Sequence, residues 1–215
     1  MLGIVGESGC GKSTVLKLLM QLYKPTGGTI TWNGVNTTSI NVRWLRDNIS
    51  YVAQEPVLFS GTIRENLLLA DPNANDEKLK EALSEAGLGS FLKTLPKGLD
   101  SDVGNAGAAL SGGQRQKMGI ARALLSEAQY MIFDEATSSV DPQSEREIWE
   151  TIGRLSKTRT LIVISHRMST IQNANCIYVL EKGVVAQRGS HAELMQQGGL
   201  YRELVTRQQA MEVAE

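Results

Sequence analysis

Gly6-Glu7-Ser8-Gly9-Cys10-Gly11-Lys12-Ser13-Thr14, close to the start of a 215-residue chain, is the stretch that decides the fold. Two glycines bracket four residues and are followed by Lys and Ser, the pattern of a phosphate-binding loop. Glycines let the backbone curl until successive N–H groups point inward, as phosphate oxygens require. Leu2 to Val5 reads as a short buried strand, and Lys12 to Leu22 carries helical spacing through Val15, Leu16, Leu18, Leu19 and Leu22. The helix adds the positive end of its dipole to the same site. The pattern assigns Lys12 to the β- and γ-phosphates of ATP and the Ser13 hydroxyl to Mg²⁺. A strand before and a helix after weigh against a glycine-rich turn without a ligand. The loop alone does not separate a transporter ATPase from a small kinase or a GTPase.

Working outward, Tyr130 to Phe133 is a continuous apolar run ending in Asp134-Glu135, as a buried parallel strand would. The carboxyl ends of such strands are where α/β sheets bind ligands. Asp134 is placed to hold Mg²⁺ through water and Glu135 to polarise an attacking water as general base. Taken alone, the pair also fits a buried strand ending in solvated acids; the phosphate loop upstream favours the first reading. Leu110-Ser111-Gly112-Gly113-Gln114 opens a further helix over Gly112 to Leu125, whose N-terminus offers a second anion site. One nucleotide does not need two such sites from one chain; two chains facing each other do. Asn33-Gly34 signals a hairpin. Strands alternating with helices predict an α/β fold with a mostly parallel sheet, and the helical run from Thr62 to about Ser126 interrupts them as an insertion.

Composition bounds the function class. Hydrophobic residues make up 41% and charged residues 21%, with a formal net charge of -1. A basic excess, the usual mark of a nucleic-acid binder, is absent, and nucleic acid is not expected as a partner. No apolar run approaches the ~20 residues that cross a bilayer. The N-terminus enters the glycine-rich loop directly, so no secretory leader is expected. Cys10 and Cys176 make no disulfide framework, and reduced thiols are the simpler expectation.

In the order of its motifs the chain resembles the nucleotide-binding domain of an ABC (ATP-binding cassette) transporter, over essentially all of its length. Gly6 to Thr14 matches the Walker A motif, Gln54 the Q-loop glutamine, and Leu110 to Gln114 the family signature. Tyr130 to Asp134 with Glu135 matches Walker B and the catalytic glutamate; Ser138-Ser139-Val140-Asp141 matches the D-loop and His166 the switch histidine. Phe59 to Asn66, Leu95 to Asp100 and Ser165 to Ile171 are similar to exporter-type cassettes. The resemblance implies a P-loop NTPase core at residues 1–56 and 127–215 and a helical subdomain at 57–126. It implies an ATPase that moves a multidrug, lipid or peptide-type substrate through membrane domains outside this chain.

The resemblance also implies roles. Gln54 senses Mg²⁺ and the γ-phosphate, joining Ser13 and Asp134 around the metal. His166 contacts the γ-phosphate and holds the attacking water, with Glu135 as base. Gly6, Glu7, Ser8, Gly9, Cys10, Gly11, Lys12, Ser13 and Thr14 cradle the nucleotide. Ser111, Gly112, Gly113 and Gln114 face the γ-phosphate of a partner cassette, and Asp141 links the two sites. The partners implied are a second cassette, identical or not, and membrane domains fused upstream, at the cytoplasmic face of the plasma (inner) membrane. Family cassettes carry antiparallel strands and an adenine-stacking aromatic before Walker A; this chain begins at Met1-Leu2, so the antiparallel subdomain is expected to be incomplete and the polypeptide a fragment. Asn105 stands where exporters usually have glutamate, which bears on one contact to the membrane domains. A soluble ABC ATPase acting on nucleic acid or ribosomes, and a non-catalytic remnant, are the competing readings. Arg115, Lys117 and Arg122 read as a solvated or inter-subunit stripe, and His191 as solvated.

Overall fold

The computed structural model describes residues 1–137, 140–165 and 167–212. In chain order the elements are β1 (Leu2–Val5), α1 (Lys12–Leu19), β2 (Thr31–Trp32), β3 (Val35–Asn36), α2 (Val42–Asn48), β4 (Ile49–Val52), α3 (Ile63–Leu68), α4 (Asp76–Glu85) and α5 (Gly89–Thr94). They continue with α6 (Gly112–Leu125), β5 (Tyr130–Asp134), α7 (Pro142–Leu155), β6 (Thr160–Ile164), α8 (Met168–Ile171), β7 (Cys176–Glu181), β8 (Val184–Gly189), α9 (His191–Gln197) and α10 (Leu200–Glu212). Two compact units result: Met1–Ile49 with Thr160–Glu215, and Ser50–Arg159.

In the first unit the strand order is β6-β1-β7-β8. β1 runs parallel to both neighbours, with Leu2 opposite Ile162 on one side and Cys176 on the other. A strand flanked on both edges and covered on both faces has no room for polar side chains, so Ile4 and Val5 are buried together with Val163, Ile164, Ile177 and Val179. β8 pairs antiparallel to β7, with an irregularity at Val179/Leu180. The Asn33-Gly34 turn joins β2 to β3, with φ of 49° and 82°, the left-handed pair that a two-residue hairpin demands. α1 ends at Leu19, short of the predicted Leu22. Gln21 turns left-handed (φ 52°), and the amides of Leu22 and Tyr23 both fall back on the Lys17 carbonyl. His191 departs from its solvated reading: it is half-buried, and its Nδ1 lies 2.8 Å from the hydroxyl of fully buried Tyr201.

The second unit joins β4 and β5, neighbouring strands, to the helices α3 to α7. Thr62 and Glu65 close a capping box at the start of α3. Arg64 clasps Asp76 at the start of α4 and Asp100, the latter at 2.7 Å. Asn66, 1% exposed, binds both the amide and the carbonyl of Phe59. α6 is the central element, burying Met118, Ile120 and Leu124 among others. α7 starts with Pro142 directly after its cap, Asp141, where a missing N–H costs nothing. Among the described residues no helix is long and apolar enough to cross a membrane.

Candidate functional site

In the first unit the phosphate loop runs from the end of β1 to the start of α1 and is held from behind by the β7–β8 hairpin. The Gly183 amide donates to the Cys10 carbonyl at 3.0 Å. A Cβ on Gly6 would lie 2.3 Å from the Leu180 carbonyl oxygen and 2.6 Å from Cys10 Sγ. The first of these is backbone in a paired strand and cannot give way, so glycine here is a packing requirement. Lys12 is 5% exposed. Its Nζ donates to the carbonyls of Gly6 at 2.8 Å and Glu7 at 3.0 Å and lies 3.9 Å from Cys10 Sγ. Among the described residues no carboxylate pairs with it. A buried ammonium neutralised only by carbonyl dipoles is costly, and a phosphate removes that cost. Ser13 and Thr14 are exposed in the first turn of α1, where their hydroxyls are open to a ligand. Glu7 carries a long, exposed contact to Arg207 of α10 at 3.4 Å, worth little in water.

In the second unit β5 buries Met131, Ile132 and Phe133 completely and delivers half-buried Asp134 at its carboxyl end. Glu135 follows with φ 49°. A left-handed backbone costs a non-glycine residue about 1–2 kcal/mol, the kind of local strain that clusters at functional sites. Tyr51 of neighbouring β4 donates its hydroxyl to Asp134 Oδ2 at 2.8 Å. Burial, then the Asp134 carboxylate itself, pushes the Tyr51 phenol well above its ordinary value, so it stays the donor. Asp134 and Gln54 of this unit offer hard oxygen donors of the kind Mg²⁺ takes, as does the Ser13 hydroxyl in the first unit.

The start of α6 is a closed capping box. Ser111 Oγ accepts the Gln114 amide at 3.2 Å while Gln114 Oε1 accepts the Ser111 amide at 2.9 Å. The cap uses lone pairs of Oγ and leaves its proton free to donate. Gly113 sits against the first turn of α7: a Cβ there would lie 2.3 Å from Ser144 Oγ and 2.5 Å from Ser144 Cβ. Asp141 caps that turn by accepting the Ser144 amide at 2.9 Å, and Ser144 holds its carboxyl below the usual carboxylate range. The second unit thus brings Gly113 beside Asp141, whose Oδ2 would lie 3.7 Å from the same Cβ. Gln54, exposed in the loop after β4, joins Gly112 and Gln116 in lining a cleft of about 320 Å³. That loop is pinned to α6, since Gln116 donates to the Ala53 carbonyl at 3.0 Å and Arg122 to that of Val57. His166, and Ser138 and Ser139 of the segment before Asp141, lie outside the described residues.

The family described as "ABC transporter" matches residues 1–138. The chain belongs to the ABC transporter family. P-glycoprotein 14 of Caenorhabditis elegans is 44% identical over 206 residues, covering 96% of this chain and 16% of that protein. The mitochondrial potassium channel ATP-binding subunit of Xenopus tropicalis is 45% identical over 206 residues, covering 95% of this chain and 30% of that protein. The solved structure of a bacterial Atm1-family ABC exporter with ATP bound is 38% identical with a TM-score of 0.91, covering 96% of this chain and 36% of the other. The chain therefore spans less than a third of the length of these curated relatives. It has the α/β P-loop fold of ABC cassettes and is an ATP-binding ATPase domain of that family.

A further reading of the sequence is corrected in this ABC domain. The basic stripe on α6 is not freely solvated: Lys117 is 6% exposed and ion-paired with Glu147 of α7, and half-buried Arg115 and Arg122 donate to the carbonyls of Leu110 and Val57. Two contacts escaped the sequence altogether. Gly113 was readable as a phosphate contact but not as the seat of Ser144, and Tyr51 looked like any β-strand aromatic. Its only signal was a large polar-tipped side chain in a strand, three residues before Gln54.

Proposed function

We propose that this domain is the engine of an exporter-type ABC transporter, with residues 1–56 and 127–215 as ATPase core and 57–126 as helical subdomain. The observation that carries the reading is Lys12, a buried ammonium among carbonyls that an anion neutralises. Lys12 and the loop amides from Glu7 to Thr14 bind the β- and γ-phosphates. Ser13, Gln54 and Asp134 would hold Mg²⁺, which would supply charge neutralisation at the phosphate oxygens. Glu135 accepts a proton from the attacking water as its oxygen bonds to the γ-phosphorus and the bond to the β–γ bridging oxygen breaks, releasing ADP and phosphate. His166 holds that water. Ser111, with the amides of Gly112, Gly113 and Gln114, meets the γ-phosphate bound by a second cassette, and Asp141 links the two sites. ATP is then the adhesive of a cassette dimer, because it binds the closed pair better than the open one. Membrane domains carry the substrate, and the cassette works at the cytoplasmic face of the plasma (inner) membrane.

Glu135→Gln in the 215-residue chain tests the proposal. Turnover should fall by roughly 10²–10⁴, and light scattering should find an ATP-dependent dimer. Unchanged turnover removes Glu135 from the mechanism, and a monomer under saturating Mg-ATP removes the cassette pair. A second reading follows from the 45% identity to a potassium channel subunit: the same ATP-driven pairing gates a channel. Both readings share the cassette chemistry, and ATP-dependent ion conductance of the full-length assembly, without vectorial export, selects the second.

A further inference from the structure

We propose that Tyr51 is a positioning residue of the metal site, its hydroxyl fixing the orientation of the Asp134 carboxylate before Mg²⁺ arrives. The inference rests on the reading of Asp134 as a metal-side carboxylate and adds a residue that no motif contains.

β4 alternates as a half-buried strand should: Ser50 and Val52 are buried, while Tyr51 on the opposite face is 44% exposed. An exposed strand position does not ask for a ring and hydroxyl; a valine or threonine satisfies strand preference there as well. The hydroxyl instead crosses to the adjacent strand and donates to Asp134 Oδ2 at 2.8 Å. A hydrogen bond onto a carboxylate is charge-assisted and stronger than a neutral one. It also restrains the rotation of the half-buried carboxylate about its own bond. Asp134 offers about four lone-pair sites. Tyr51 occupies one on Oδ2 and leaves Oδ1 for the metal or its water. The carboxylate is thus ordered before binding, so less ordering cost falls on the binding step.

Partners of this kind, one bond removed from a metal, typically change metal affinity 10- to 100-fold when lost. Tyr51→Phe deletes only the hydroxyl and keeps the ring. The experiment uses the 215-residue chain carrying Glu135→Gln, so that nucleotide persists. It reads the Mg²⁺ concentration giving half of the ATP-dependent thermal shift, at fixed ATP. ATP chelates Mg²⁺ equally in every sample, so differences between variants report the protein. Tyr51→Phe should raise this midpoint about tenfold, toward the lower end of that range because Asp134 itself is kept, and leave the shift by ATP in EDTA unchanged. Asp134→Asn is the control and should abolish the Mg²⁺ dependence.

A Tyr51→Phe midpoint within about twofold of its parent overturns the proposal while Asp134 keeps its role. An equal weakening of ATP in EDTA overturns it too, since that is the mark of a general structural defect. If Asp134→Asn leaves the midpoint in place, or the parent shows no response to Mg-ATP, the metal reading fails and the proposal with it.

Discussion

Gly113→Ala tests whether the signature glycine is required by packing within the chain as well as by a ligand. The new Cβ would sit 2.5 Å from Ser144 Cβ and 2.3 Å from its Oγ. The hydroxyl can rotate away; the Cβ moves only with the backbone of α7. Overpacking of this type costs about 1–3 kcal/mol. Relief by shifting the first turn of α7 pulls the Ser144 amide off Asp141, and an N-cap is worth about 1 kcal/mol. Against these, alanine gains about 1 kcal/mol over glycine in a helix, so the expected net loss is about 1–3 kcal/mol. Chemical denaturation with and without Ser144→Gly provides the assay, as a double-mutant cycle. Ser144→Gly alone removes the obstructing atoms and costs about 0.5 kcal/mol of helix propensity. The pair should lose no more than Ser144→Gly does, giving a favourable coupling of about 2–4 kcal/mol between the two sites. Additive losses refute the packing argument. The cycle also separates two roles, for the double mutant recovers its fold, and ATPase activity that stays low leaves the phosphate contact of Gly113 as the cause.

Two further outcomes follow from the second unit. Ala106 is exposed with φ 51° and ψ 31°. Ala106→Gly relieves about 1 kcal/mol of left-handed strain against a smaller loss of chain entropy, and should raise the urea midpoint slightly; a lower midpoint contradicts the assigned backbone. Arg64 holds the carboxyls of Asp76 and Asp100 below the usual range. A depressed carboxyl stabilises the fold above its unfolded value of about 4 and ceases to do so as pH falls through the folded one. Arg64→Gln should therefore be less stable than its parent at pH 7, and the gap should close below about pH 4; a gap of constant size across that range excludes the clasp as its source.

Features set by neighbouring residues were legible in the sequence. The phosphate loop is a run of backbone donors whose curl requires glycine at set spacings, so Gly6 to Ser13 stated both the chemistry and the strand and helix around it. The apolar run before Asp134-Glu135 marked a strand end, and Asn33-Gly34 marked its turn. The helix over Gly112 to Leu125 matched its expected bounds because its cap, Ser111 with Gln114, lies within four residues of sequence. Sequence could also name His191 and Lys117 but not their partners. Lys117 looked solvated because a charge stripe normally is, and only the packing of α6 against α7 brings it to Glu147. Whether Gly113 must be glycine depends on Ser144, and what Tyr51 does depends on β5 lying beside β4. The amino-acid sequence by itself determined the local devices, the loop, caps and strand ends, because each closes its hydrogen bonds within one or two turns of chain. The tertiary structure alone decided which side chains meet across elements, because those distances depend on strand order and helix packing, which no local spacing encodes.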